Sequence, residues 1–170
     1  MERKRKQGNM QSTAFMTQAA MIAAIYVVLT IVFAPFGFGE VQVRISEALA
    51  VLPMFTPAAI PGLFIGCVIA NLFGRAIVLD VIFGSLATLL GAVGTYLLRN
   101  NKRLAFMPPV IANAVIVPFV LKYGYGVPLP IPFMMLTVGL GEVISCCMLG
   151  SVVRKALEGY KGIIFGGLTS

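Results

Sequence analysis

Between Gln42 and Asp80 the chain reads QVRISEALAVLPMFTPAAIPGLFIGCVIANLFGRAIVLD, which sets Arg44, Glu47, Asn71, Arg75 and Asp80 into nearly unbroken hydrocarbon. A third acid, Glu142, ends the run VGLGE, with small neighbours at Gly139, Gly141, Ser145 and Cys146 and no basic residue within a helical turn. Ionisable groups at membrane depth cost about 2.5–3.5 kcal/mol each, so they are rare and tend to line a site or pathway. Three such acids left unpaired would cost roughly 10 kcal/mol, comparable to the stability of a whole domain. They must be paired, protonated or facing a wet cavity. The chemistry this implies is a polar pocket inside a membrane protein, built from Arg44, Glu47, Asn71, Asp80, Asn113 and Glu142.

Each residue also has a plainer role open to it. Arg44 and Glu47 stand three apart and can neutralise each other across one helical turn. Asp80 can pair with Arg75 or cap the helix that follows it, and Asn71 and Asn113 can serve interhelical hydrogen bonds. Glu142, with space beside its carboxylate, is the strongest candidate for a functional group.

Catalytic and nucleotide motifs are absent. No GxxxxGK[ST] loop occurs, so this chain does not hydrolyse ATP by that route, and there is no HExxH or GxSxG. The chain has no histidine, which excludes Ser–His and Cys–His nucleophiles. A lone intramembrane acid more often binds or couples protons than catalyses, so an enzyme is the weaker expectation. Cys67, Cys146 and Cys147 all fall in apolar runs and are expected to be small buried hydrophobes, without disulfide or metal.

The elements that must position these groups follow from composition. The 170 residues are 59% hydrophobic and 11% charged, with mean hydropathy +0.96, against about 25% charged residues in a soluble domain. Six apolar segments emerge at about 12–34, 43–55, 57–73, 76–98, 104–121 and 132–153. Most approach the roughly 20 residues a spanning helix needs; the second is short and ends at Pro53. The first is too long for a signal peptide and has no small-residue cleavage site after it, so it is expected to be retained. The expected fold is an all-α membrane protein of six transmembrane helices, the second short. It divides into a basic cytoplasmic segment (1–11), one membrane domain (12–157) and a cytoplasmic tail (158–170).

Charge gives the orientation. Six crossings with both ends inside gather Arg3, Lys4, Arg5, Lys6, Arg99, Lys102, Arg103, Arg154, Lys155 and Lys161 on one face, ten of the 13 basic residues. If the second segment did not cross, the middle and C-terminal clusters would move outside, against the positive-inside rule. The net charge of +7 therefore reports orientation in a bilayer, not nucleic acid. In this topology Arg44, Glu47, Asn71, Arg75 and Asp80 converge on the outer half of the bundle. Tyr123 and Tyr125, in the outer loop KYGYGVPLPIP, are placed to cover the opening.

Small residues mark close helix contacts, which membranes favour because lipid offers no hydrophobic drive for packing. Ala19/Ala23 and Ala20/Ala24 form two such pairs in the first segment, and Gly84, Ala87, Gly91 and Gly94 form a stripe in the fourth. Either set can serve packing within the chain, and the alanines can equally serve a partner.

The runs VQVRISEALAVLPMFTPAAIPGLFIGCVIANLFG, LDVIFGSLATLLGA and VGLGE resemble the QueT family, with the likeness extending from Gln18 to about Gly150. That resemblance implies a substrate-binding (S) component of an energy-coupling factor (ECF) transporter for precursors of queuosine. It implies six helices with both ends cytoplasmic in a prokaryotic plasma membrane, and a site near the outer face. The partners implied are a transmembrane T component and two ATPase subunits, so that ATP is hydrolysed by partner chains and no cofactor belongs to this one. An AxxxA motif docks the T component in the wider family; Ala19 and Ala23 match it, with Ala20 and Ala24 as the neighbouring register.

The substrate class implied, a 7-deazaguanine, presents adjacent N–H donors that one carboxylate can accept together. Its carbonyl oxygen suits Arg44 or an Asn amide, an aminomethyl form would favour a second acid, and Tyr123, Tyr125 or Phe38 could stack on its faces. Which acid meets which edge stays open. Ordering of the FGFG and KYGYG loops over the bound ligand is a further expectation. The alternatives are an S component for another vitamin or purine-like metabolite, an autonomous proton-coupled carrier using Glu142, or a structural subunit whose acids make only internal pairs.

Overall fold

A computed structural model describes residues 2–33 and 44–160 of the chain; the FGFG loop, with Phe38, lies outside them. Every regular element among the described residues is helical. In chain order these are α1 (Glu2–Val32), α2 (Ile45–Met54), α3 (Ala59–Phe73), α4 (Asp80–Leu97), α5 (Leu104–Tyr123) and α6 (Ile131–Glu158). Four of them are long and apolar enough to cross a membrane: α1 over Ser12–Val32, α4, α5 and α6. Helix α1 begins at Glu2, so the helix runs through the basic N-terminal segment.

The short second segment differs from the helix expected. It is a 3₁₀ helix of ten residues with Pro53 inside it, and every residue from Ser46 to Pro53 is buried. A 3₁₀ helix rises about 2.0 Å per residue, so ten residues reach about 20 Å where an α-helix would reach about 15 Å. Buried along its length, with small Ser46, Ala48 and Ala50 among its residues and Glu47 its one ionisable group, α2 is the central strut, contacted by α1, α3, α4, α5 and α6.

Two glycine seams hold the outer helices. Along α3, a Cβ on Gly62 would lie 2.8 Å from the Ala19 carbonyl oxygen, and one on Gly66 would lie 2.9 Å from Tyr26 Cβ and 3.1 Å from Ala23 Cα. Along α4, a Cβ on Gly91 would lie 2.7 Å from Pro109 Cα, and one on Gly94 would run into Pro108 Cβ. The small-residue stripe of the fourth segment thus serves packing inside this chain. Pro108 and Pro109 sit in the first turn of the α-helical part of α5, where a missing N–H leaves no carbonyl unpaired.

Side-chain bonds define the two ends. At one, Lys102 in the α4–α5 connection pairs with Glu158 of α6 at 2.9 Å, as does Arg154. Those partners hold the Glu158 carboxyl below its usual range, Lys102 contributing most through its hydrogen bond. At the other end the Tyr125 hydroxyl, from the α5–α6 connection, donates to Asp80 at the start of α4. Thr56 donates to Gln18 at 3.0 Å, while Arg44 reaches Asp80, so α2 runs from the Asp80 end toward the basic end. Successive helices therefore alternate between two ends, one rich in basic residues and one in which the buried polar groups begin.

Gly66→Ala should lower the thermal midpoint of the protein in detergent by an amount equivalent to about 1–3 kcal/mol, the usual cost of overpacking. Gly159→Ala, where a Cβ would meet nothing within 4 Å, is the matched control and should leave the midpoint in place.

Candidate functional site

The buried polar side chains form two groups joined by one tyrosine. The outer group centres on Asp80, which is 5% exposed although it opens a helix. Arg44 Nη2 lies 4.0 Å from Asp80 Oδ2, and the Tyr125 hydroxyl donates to the same oxygen at 3.0 Å. Asn71 Nδ2 donates to the Asp80 backbone carbonyl at 3.3 Å. Burial, with the neighbouring Asp80 carboxylate, raises the Tyr125 phenol above its ordinary range and so keeps it a donor at neutral pH.

Local backbone geometry makes room for this acid. Residues Asp80–Gly84 form a π-turn that leads into the α-helical part of α4, and a Cβ on Gly84 would stand 2.6 Å from Asp80 Oδ1. That oxygen has no hydrogen-bond partner. At the end of α3, Arg75 takes the left-handed backbone conformation (φ 55°), costly for a residue with a side chain, which reverses the chain so that Ala76 N–H bonds the Asn71 carbonyl at 2.9 Å.

A cavity of about 370 Å³ opens beside this group, lined by Tyr26, Thr30, Arg44, Ser46, Asn71 and Asp80 among others. Its size falls in the range of small-molecule sites, about 300–1,000 Å³.

The inner group lies behind Tyr26. The Tyr26 hydroxyl donates to Glu47 Oε1 at 2.6 Å. Cys146 Sγ sits 3.3 Å from Glu142 Oε2 and 3.4 Å from the Glu47 carbonyl oxygen. Asn113 is 1% exposed and stands against Glu142, yet neither of its amide atoms has a hydrogen-bond partner, and neither does Glu47 Oε2. Glu142 ends the α-helical stretch Ile131–Glu142, and a π-helical stretch, Val143–Leu149, follows it. One ligand atom each from Glu47, Glu142 and Cys146 lies within 4.8 Å of the others, a set that could also hold a metal ion.

The anticipated residues therefore fall into distinct places. Arg44, Asn71 and Asp80 meet at the cavity; Glu47, Asn113 and Glu142 meet behind it. The Arg44–Glu47 and Arg75–Asp80 pairs do not form, because Arg44 reaches across to Asp80 while Arg75 points into an exposed turn. Tyr123 joins neither group. It is 74% exposed and stacks on Phe119 with ring centroids 6.4 Å apart, beside an apolar groove. Its near neighbour Tyr125 takes the position by Asp80. Tyr26 and the Cys146 thiol carry polar contacts that their apolar surroundings in the sequence gave no reason to expect.

The two alanine pairs also separate. Ala23 is buried and Ala19 half-buried against Gly62 and Gly66 of α3, whereas Ala20 and Ala24 are exposed. Only 17% of the apolar part of α1 is buried, against 44% of α4 and of α5, so α1 presents the broadest open face, with Met21 and Val28 beside the exposed alanines.

An all-helical arrangement of the described residues, with four helices long and apolar enough to cross a membrane, defines a multi-pass membrane protein of the helical-bundle class. The chain belongs to the QueT transporter family, whose profile matches residues 16–159. Over 72 residues it is 39% identical to the queuosine precursor transporter QueT of Lactococcus lactis subsp. cremoris (strain MG1363), a match covering 41% of this chain and 42% of that relative. The aligned stretch thus spans less than half of the relative's length. No solved structure matches the chain.

Tyr26→Phe would remove the hydroxyl that donates to Glu47 Oε1 at 2.6 Å. The expected loss is about 1–3 kcal/mol of stability, read as a lowered denaturation midpoint in detergent; an unchanged midpoint would mean that Glu47 is satisfied by other groups.

Proposed function

We propose that this chain is the substrate-binding S component of an ECF-type importer, capturing a queuosine precursor of the 7-deazaguanine class from outside the cell. The observation that carries this reading is the pairing of hydrogen-bonding types at the cavity within a member of the QueT transporter family. Arg44 and Asn71 supply donors and Asp80 an acceptor with one oxygen unsatisfied. A guanine edge presents the complement, a carbonyl beside adjacent N–H groups. Carboxylate recognition of such a paired edge is strong when the site is dry.

In this reading all six helical segments, including the 3₁₀ strut, belong to one membrane domain over 12–157, with both termini cytoplasmic in a prokaryotic plasma membrane. The basic segment 1–11 and the tail 158–170 lie on the cytoplasmic side, and the cavity opens outward. A transmembrane T component docks on the open face of α1, and two ATPase subunits hydrolyse the ATP. The docking register is Ala20 and Ala24, which are exposed, while Ala19 and Ala23 support it from behind through α3. The chain itself carries no cofactor and no enzymatic activity.

Calorimetric titration of the purified chain with 7-aminomethyl-7-deazaguanine, with guanine and thiamin as controls, tests the substrate. Selective binding that Glu142→Gln weakens at least tenfold is the expected result. Thiamin bound as tightly would point to another S-component specificity. Transport is tested separately: Ala20→Leu or Ala24→Leu should abolish uptake in cells carrying the partner subunits while binding in detergent persists. Uptake by the isolated chain in liposomes, without ATPase partners, would make it an autonomous carrier.

A further inference from the structure

The buried site is short of positive charge. Glu47, Asp80 and Glu142 are 1%, 5% and 3% exposed, and among the described residues Arg44 is the one basic side chain that acts on all three. Arg44 is already committed to Asp80. Lys122 at the same end donates to the Leu129 carbonyl, and Arg75 is exposed. The undescribed stretch 34–43 contains no lysine or arginine, its one ionisable residue being Glu40.

The deficit is sharpest at the inner group. Its carboxylates face each other across Cys146, and the groups around them, the Tyr26 hydroxyl, the Cys146 thiol and the Asn113 amide, are all neutral. Glu47 Oε2 and both amide atoms of Asn113 are buried and unpartnered, an arrangement that costs free energy unless something binds there. A primary ammonium has three N–H donors and a unit charge, and it would find carboxylate oxygens from two helices and an amide oxygen within one buried cluster. A neutral group of similar size could satisfy neither the charge nor three acceptors. Tyr26 lines the cavity and bonds Glu47, so the pair lies one side chain's depth behind the cavity wall.

We propose that Glu47 and Glu142, with Asn113 beside them, form a subsite for a primary ammonium carried by the ligand, and that this subsite selects a cationic ligand over a neutral one of the same shape. The inference rests on the substrate class proposed above. It divides the labour of the site. Arg44, Asn71 and Asp80 read the ring, and the inner acids read the substituent.

The test compares two ligands on the full chain in detergent, 7-aminomethyl-7-deazaguanine and its neutral 7-cyano counterpart. Charge-assisted hydrogen bonds in a buried site predict that the amine binds about tenfold to a hundredfold more tightly. Glu47→Gln, Glu142→Gln and Asn113→Ala should each narrow that ratio, and the wild-type ratio stands as a readout if a variant fails to fold. Equal affinities for the two ligands would overturn the subsite while leaving the substrate class intact. A ratio unmoved in all folded variants would overturn it too, and binding of neither ligand would overturn both readings. A final arm distinguishes a metal centre. Amine affinity should survive treatment with EDTA; its loss on chelation and recovery with Zn²⁺ would assign the acids to a metal ion instead.

Discussion

The structure depends on keeping three carboxylates inside an apolar bundle with one guanidinium among them. Arg44 stands at the N-terminal edge of the 3₁₀ strut and reaches Asp80 at the start of α4, tying the central element to the rim of the cavity. The attraction of a close ion pair grows steeply as water is excluded, but so does the penalty of desolvating each charge. The remaining acids are therefore met with neutral donors, the Tyr26 hydroxyl for Glu47 and the Cys146 thiol for Glu142. Such a centre keeps buried oxygens without partners, Glu47 Oε2 and Asp80 Oδ1 among them.

The rest of the fold allows that centre to exist. Gly62 and Gly66 draw α1 close enough for Tyr26 to project at Glu47, and Gly91 and Gly94 lock α4 on the two prolines of α5. These contacts are made by backbone and Cβ atoms, which have little freedom to relax. Rigidity in the outer helices holds the polar side chains at depth without help from hydrophobic association, which is weak between helices in lipid.

Much of this was legible in the sequence, for a simple reason. A charged residue in an apolar run is conspicuous, so Glu47, Asp80 and Glu142 stood out, as did Asn71 and Asn113. Pairings were harder to read, because they depend on approach between distant segments. Arg44 meets an acid on another helix instead of its neighbour one turn away. Tyr26 reads as one more aromatic in a hydrophobic helix, and Cys146 as one more small apolar residue, until their partners are seen. Tyr123 closes α5 and Tyr125 follows two positions later in the connection to α6, and nothing in the local sequence decides which one faces Asp80. The two alanine pairs likewise have equal standing until the glycines of α3 show which register is turned inward. A ten-residue apolar stretch does not reveal whether it winds with three or 3.6 residues per turn.

Both helices that carry an acid of the site near their middle or entry change their winding there: α4 through the π-turn Asp80–Gly84, and α6 through Val143–Leu149 just after Glu142. A π-turn holds an extra residue in a helical turn and rotates everything beyond it relative to what came before. The face of α4 that presents Asp80 is thereby uncoupled in phase from the face that grips α5 through Gly91 and Gly94. The buried acid and the packing seam are written in separate registers of one helix. Residues on one side of the turn can be exchanged over evolutionary time while the packing seam on the other side keeps its spacing, so the polar end of the helix can change without the framework being rebuilt.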